Sequence, residues 1–181
     1  MDAGYSTSDV SRNTLSSNYF SRGVNPVGTL AHTTEGRNAL YTLQSGNALS
    51  GHPASADYYI ERSGQRYSLM PPGMAAYHAG VSWANVQGRV FQGDALSAIL
   101  IGVELERAGD DVVTYAQLDS YAELLTILSV EYSWRWPYTI LGHYEVARPL
   151  GRRSDPVNFA WGDFMGRVYA RSLAAGVPGL V

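Results

Sequence analysis

The stretch LGHYEVARPLGRRSDP, residues 141–156, sets a histidine at the close of an apolar run and, twelve positions on, an aspartate just before a proline. The chain has only four histidines, and it has no cysteine and no lysine. A metal site must therefore be made from His, Asp or Glu, and no lysine can serve as a base. Zinc takes about four ligands, and a catalytic zinc keeps one position for water. His32, His143 and Asp155 make a sufficient set, drawn from three distant segments; no His-Glu-x-x-His helix is present. His143 also reads as a structural histidine. Asp155 also reads as a turn or helix-entry residue, a place aspartate favours.

Glu104 is the second chemical oddity. It lies inside AILIGVELE, residues 98–106, the most apolar strand of the chain. Burying an unpaired carboxylate costs on the order of several kcal/mol, so it needs a partner or a task. The plain reading is a salt bridge to an arginine. The functional reading is a general base beside a metal site, with a tuned pKa. Glu106 shares the same strand face by the two-residue period, but Glu104 lies further into the strand and is preferred.

The elements that must position these residues are legible in outline. VGTLAH, residues 27–32, reads as a short buried strand ending in His32, and YTILGH, residues 138–143, as another ending in His143. Residues 98–106 read as a strand covered on both faces. Residues 57–71 carry a hairpin signal around Ser63-Gly64. Residues 36–46 fit a short helix, residues 45–54 a Gly/Ser-rich loop, and residues 71–83 an aromatic-bearing loop that can line a cleft with Tyr77 and Trp83. Thr114 and Gln117 form a capping-box pattern opening a helix with Leu118, Tyr121, Leu125, Leu128 and Tyr132 on one stripe, stopped near residues 134–136 by Pro137. Residues 158–173 read as the last helix. The fold class that follows is a single α/β domain over residues 27–181, with a central mixed β-sheet flanked by helices; residues 1–26 form a polar arm packed on it. If the two histidine-ended strands run parallel and close together, both imidazoles project at one rim, where open α/β sheets collect ligands.

Composition excludes several classes. Apolar residues make up 45% and charged residues 16%, a globular balance, and the net charge of -3 argues against a general nucleic-acid binder. The start lacks a basic region followed by an apolar one, so no secretory signal is read. No run approaches the roughly 18 apolar residues of a membrane span. A monomer is expected.

At this point a resemblance enters. AHTTEG (31–36), SADYYIERSGQRYSLMP (55–71), AYHAG (76–80), IGVELE (101–106), the YAQL helix start and LGHYEVARP…RRSDP…FAW, taken in order, resemble the zinc-dependent N-acetylmuramoyl-L-alanine amidases. This is the amidase type 2 family, akin to phage endolysins, muropeptide-recycling amidases and peptidoglycan recognition proteins. The likeness runs over residues 27–172. It implies Zn2+ bound by His32, His143 and Asp155, Glu104 as the catalytic glutamate, and His78 as a residue lining the substrate cleft; as a plainer alternative, His78 makes a structural bond. Tyr77, Trp83 and Arg152 are further substrate-binding candidates. The tyrosine used by other branches falls at Ala56, so the chain resembles the glutamate-using branch.

Four departures stand out. The family lysine two residues before the last ligand is Arg153 here, which keeps the charge and can stabilise an oxyanion but cannot act as a neutral base. The segment before Asp155 is two residues longer than usual, so Arg152 competes for that place. Asp57 stands where a histidine is common. The first motif has one histidine where many members have two.

The implied reaction is hydrolysis of the amide between the lactyl group of N-acetylmuramic acid and L-alanine, with peptidoglycan or a muropeptide as substrate. The first reading is a single-domain lysin, made in the cytoplasm and released to the wall through a holin; a cytoplasmic recycling amidase is the alternative. A non-catalytic peptidoglycan-binding module and a glycosidase using Glu104 and Glu106 are the competing classes.

Overall fold

The computed structural model describes residues 16–37, 39–45 and 54–180. Along the chain it contains β1 (Tyr19–Ser21), β2 (Gly28–Thr33), α1 (Ala39–Ser45), β3 (Tyr58–Ile60), β4 (Arg66–Ser68), β5 (Met74–Ala76), β6 (Trp83–Val86) and β7 (Arg89–Gln92). Then come α2 (Gly93–Ile99), β8 (Leu100–Leu105), α3 (Tyr115–Glu131), β9 (Thr139–Gly142), α4 (His143–Val146) and α5 (Trp161–Ala174).

The central sheet has the order β4-β3-β8-β2-β9. Strands β3, β8, β2 and β9 run parallel, and β4 closes one edge antiparallel through the 58–68 hairpin. The fold is thus a single α/β domain on a mixed sheet. Both faces of the parallel strands are covered, which is why β2 and β8 are apolar almost throughout. On one face Ala31, Ile101, Val103 and Leu105 pack with α3 and α5 residues such as Leu118, Tyr121, Leu125 and Phe164. On the other, Leu30 and Leu100 pack with Leu96 and Ile99 of α2 and with Ala84 and Val86 of β6. The two-residue period puts His32 on the same face as Leu30, and Glu104 on the same face as Leu100.

Helix α3 begins as its sequence predicts. The Thr114 hydroxyl accepts from the Gln117 N–H and the Gln117 side chain accepts from the Thr114 N–H, so two orphan amides are satisfied reciprocally. The helix ends at Glu131, a few residues before the expected stop at Pro137, where Ser133 adopts a φ of 54° and turns the chain.

Two local expectations are revised. Residues 71–83 are not all loop: Met74–Ala76 forms β5, paired antiparallel with Tyr19–Ser21 of the N-terminal segment. Proline and glycine punctuation hid this strand, because its partner lies more than fifty residues away in sequence. Residues 83–92 form a hairpin with Gln87-Gly88 at its turn, both at positive φ (51° and 80°); no element was read there from sequence. The loop expected at 45–54 falls mostly outside the described residues. No helix among the described residues is long and apolar enough to cross a membrane.

Candidate metal and catalytic centre

Three parallel strands deliver the site. In the register of β2 against β8, His32 lies opposite Glu104, and Tyr59 of β3 lies opposite Glu104 on its other side. Strand β9 pairs Gly142 with Ala31, so His143, the next residue, emerges beside His32. The loop after α4 then returns Asp155 to the same point. His32 Nδ1 lies 3.1 Å from His143 Nδ1 and 3.2 Å from Asp155 Oδ2, and His143 Nδ1 lies 3.1 Å from Asp155 Oδ2.

The outer ring nitrogens assign the tautomers. His143 Nε2 faces the Ala79 carbonyl at 3.2 Å, and a carbonyl only accepts, so Nε2 carries the proton and Nδ1 the lone pair. His78 Nε2 faces the Leu100 carbonyl at 3.0 Å and by the same logic is protonated, which makes His78 Nδ1 an acceptor. That nitrogen lies 3.2 Å from His32 Nε2, which therefore donates, leaving the lone pair of His32 on Nδ1. Three lone-pair atoms then face one another with no hydrogen to share. Such a cluster could hold a cation at its centre. The spacing fits, because ligands about 2.0–2.1 Å from a tetrahedral zinc stand about 3.3 Å apart. Two neutral imidazoles and a carboxylate are also a donor set that zinc accepts.

Electrostatics agree. Burial pushes the His32 imidazole down to about 4, against the pull of the Asp155 carboxylate, so its ring is neutral near pH 7. His32 is thus in the neutral state that ligation requires.

Glu104 is half-buried as a residue, yet its Oε2 is fully buried and has no hydrogen-bond partner among the described residues. Burial, then the Asp155 charge, push its carboxyl up to about 8, with Arg153 pulling the other way. The salt-bridge reading thus has no arginine in contact to support it. Glu106 is differently placed: it follows the end of β8 and accepts from the Arg62 backbone N–H at 3.2 Å.

The two arginines separate. Arg152 is committed to structure, donating from Nη2 to the Val81 carbonyl at 2.7 Å and from Nε to the Arg148 carbonyl at 2.9 Å. Arg153 is exposed, and it is the arginine whose charge acts on both Glu104 and His32.

Of the cleft candidates, Trp83 is 41% exposed with the Arg148 guanidinium 5.3 Å over its ring. Tyr77 is half-buried against Phe20 at 4.8 Å between centroids. His78 does not line an opening: its side chain is 1% exposed and lies behind His32, the geometry of the plainer alternative. Asp57 is buried in an ion pair with Arg22 at 2.7 Å and also accepts from the Gly102 N–H at 2.7 Å and the Ala76 N–H at 3.3 Å. Sequence reasoning missed Arg22, and its only signal was an arginine in an otherwise uncharged stretch after Tyr19. Glu35, also passed over, adds its charge to those acting on Glu104.

Comparison with known proteins returns one consistent answer. The family model described as N-acetylmuramoyl-L-alanine amidase matches residues 23–158. A curated relative, the 1,6-anhydro-N-acetylmuramyl-L-alanine amidase AmpD of Haemophilus influenzae, is 32% identical over 115 residues; the match covers 63% of this chain and 58% of that protein. This chain therefore spans little more than half the length of that relative. The crystal structure of a selenomethionine AmpD derivative superposes with a TM-score of 0.73 at 25% identity, covering 91% of this chain and 97% of the other. The endolysin LysCS of Clostridium intestinale shares the fold, with a TM-score of 0.55 at 19% identity over 82% of this chain and 86% of the other.

Proposed function

This chain belongs to the N-acetylmuramoyl-L-alanine amidase family of the amidase type 2 class, and from that premise we propose that it hydrolyses the amide joining the lactyl group of N-acetylmuramic acid to L-alanine. The observation that carries the reading is the convergence of three lone-pair atoms, from His32, His143 and Asp155, beside Glu104 on the next strand, whose Oε2 is buried with no hydrogen-bond partner among the described residues.

Zinc held by His32, His143 and Asp155 would supply a Lewis acid for the carbonyl, a water acidic enough to ionise near neutrality, and a positive charge beside Glu104. Glu104 accepts a proton from the attacking water as the water oxygen bonds to the lactyl carbonyl carbon. Arg153 places a fixed positive charge near the oxyanion that develops there. The same Glu104 then returns the proton to the alanine nitrogen as the C–N bond breaks, leaving a free carboxylate and a free amine.

The defining test digests purified peptidoglycan and measures new free amines against new reducing sugars. New amines without new reducing ends are expected. New reducing ends would move the chemistry to a glycosidase, and neither product would leave a binding module.

The substrate form has two readings. An endolysin shares the fold, which supports action on intact wall as a lysin. The sequence likeness to a relative named for a 1,6-anhydro-muramyl substrate favours soluble muropeptides. Comparing turnover on intact sacculi and on anhydro-muropeptides separates them.

Arg153 and Arg152 are expected to behave differently on substitution. Arg153→Ala should lower kcat by about 10- to 100-fold with an unchanged melting temperature, from loss of charge stabilisation in the transition state. Arg152→Ala should chiefly lower the melting temperature, through loss of its bonds to the Val81 and Arg148 carbonyls, the first of which still accepts from the Arg148 N–H. Steady-state kinetics and thermal denaturation of both variants check this, and equal kinetic loss in both would remove the distinction.

A further inference from the structure

We propose that His78 is a positioning residue for the metal centre: it fixes the tautomer and aim of His32, and the adjacent Ala79 carbonyl does the same for His143, so one dipeptide sets both imidazoles. The inference rests on the metal reading of the site and deepens it.

The geometry carries it. His32 is the only histidine of the pair whose outer nitrogen has no carbonyl to hold it; its Nε2 partner at 3.2 Å is another imidazole. An imidazole can donate or accept, so it imposes a tautomer only when its own proton is pinned. The Leu100 carbonyl, 3.0 Å from His78 Nε2, pins it. The constraint then passes from a strand carbonyl through His78 to the inner nitrogen of His32. His143 takes the same constraint directly from Ala79 at 3.2 Å.

The surroundings are shaped for this arrangement. The ring of His78 lies against Gly102 of β8, where a Cβ would stand 2.5 Å from Cγ of the ring. The only glycine in β8 therefore opens the space that the imidazole fills. The segment is held on both sides. Ser55 donates its N–H to the Tyr77 carbonyl at 3.0 Å, and the Ala79 N–H donates to Ser97 Oγ at 3.1 Å. With the His78 ring 1% exposed and perpendicular to that of His32 (83°), edge-to-edge donation is the contact it makes. Partners of this kind, behind a metal ligand, typically change metal affinity by about 10- to 100-fold when removed.

The test uses the full chain and zinc alone. His78→Phe fills the space with no hydrogen-bonding atoms; His78→Gln offers both an acceptor and a donor. The zinc dissociation constant, measured by competition with a chromophoric chelator, is expected to rise by about 10- to 100-fold in the Phe variant. The Gln variant should recover most of that loss. An unchanged constant in a folded Phe variant, or equal loss in both, would overturn the assignment and leave His78 as packing. If the Phe variant does not fold, long-range proton–nitrogen NMR on the unaltered metal-free protein decides. His32 should carry its proton on Nε2, and a proton on Nδ1 overturns the proposal. That measurement needs no zinc, so it stands apart from the metal reading. A parent protein that binds no zinc, yet shows the Nε2 proton, would refute the metal site and not the positioning.

Discussion

Glu104→Gln should remove nearly all turnover while leaving zinc bound. The amide keeps the shape of the carboxylate and cannot accept the water proton, and a positioned base of this kind contributes about 10²–10⁴-fold. Of the neighbouring carboxylates, Asp155 lies in the candidate ligand triad, Glu106 lies beyond the strand end on the Arg62 amide, and Glu35 acts on Glu104 through its charge. The same substitution should stabilise the metal-free protein at alkaline pH. The folded pKa of about 8 lies above the ordinary value of 4.5, so ionising Glu104 opposes folding. The sign follows from linkage. The folded state binds more protons than the unfolded state between those values, so stability is fully present below pH 4.5 and is lost as pH rises toward 8. A neutral glutamine has no such loss. Denaturant unfolding of the metal-free parent and variant at pH 5 and pH 9 should show the variant ahead only at the higher pH. Turnover within tenfold of the parent would move the base elsewhere, and a loss of zinc would show that Glu104 had been a ligand.

Metal removal is the second large effect. Stripping the protein with a chelator should abolish turnover, and adding back Zn2+ should restore it, because zinc held by His32, His143 and Asp155 would supply the Lewis acid of the proposed reaction. His143→Ala should not be rescued at the zinc concentration that restores the parent. Binding should also raise the melting temperature in a saturable way. A ligand that binds only the folded state adds about 2.7 kcal/mol at a hundredfold excess over Kd. Relief of three lone pairs held within 3.2 Å of one another would act through a lower Kd. Full activity in excess chelator, after metal analysis confirms removal, would sink the metal reading. An unshifted melting temperature on titration with zinc would weaken it independently of any substrate.

Much of this was legible in the sequence because it is written in local pattern. The apolar runs that end in His32 and His143 gave two strands, and the carboxyl-end rule placed their histidines at a rim. The Thr114–Gln117 capping box marked the start of α3 to the residue. The hairpin at Ser63-Gly64 gave the antiparallel edge, and Glu104 was conspicuous because a carboxylate inside an apolar strand has to be accounted for. The ordered motifs over residues 27–172 point to a family on their own.

The sequence by itself therefore determined the class of fold, the strands that carry the candidate ligands and the residue types able to act. Only the tertiary structure decided which of them come together and what they touch. That Arg152 and not Arg153 bonds the Val81 carbonyl is a contact across 71 positions of chain. Whether His78 lines a cleft or supports a ligand depends on the space left by Gly102 and on the Leu100 carbonyl of a different strand. The pairing of β5 with β1, and of Arg22 with Asp57, joins segments that share no local pattern. The physical reason is common to all four. Backbone periodicity is set by near neighbours and can be read along the chain. The direction and proton of a buried side chain are set by whichever groups strand register brings beside it, and that register exists only once the sheet has closed.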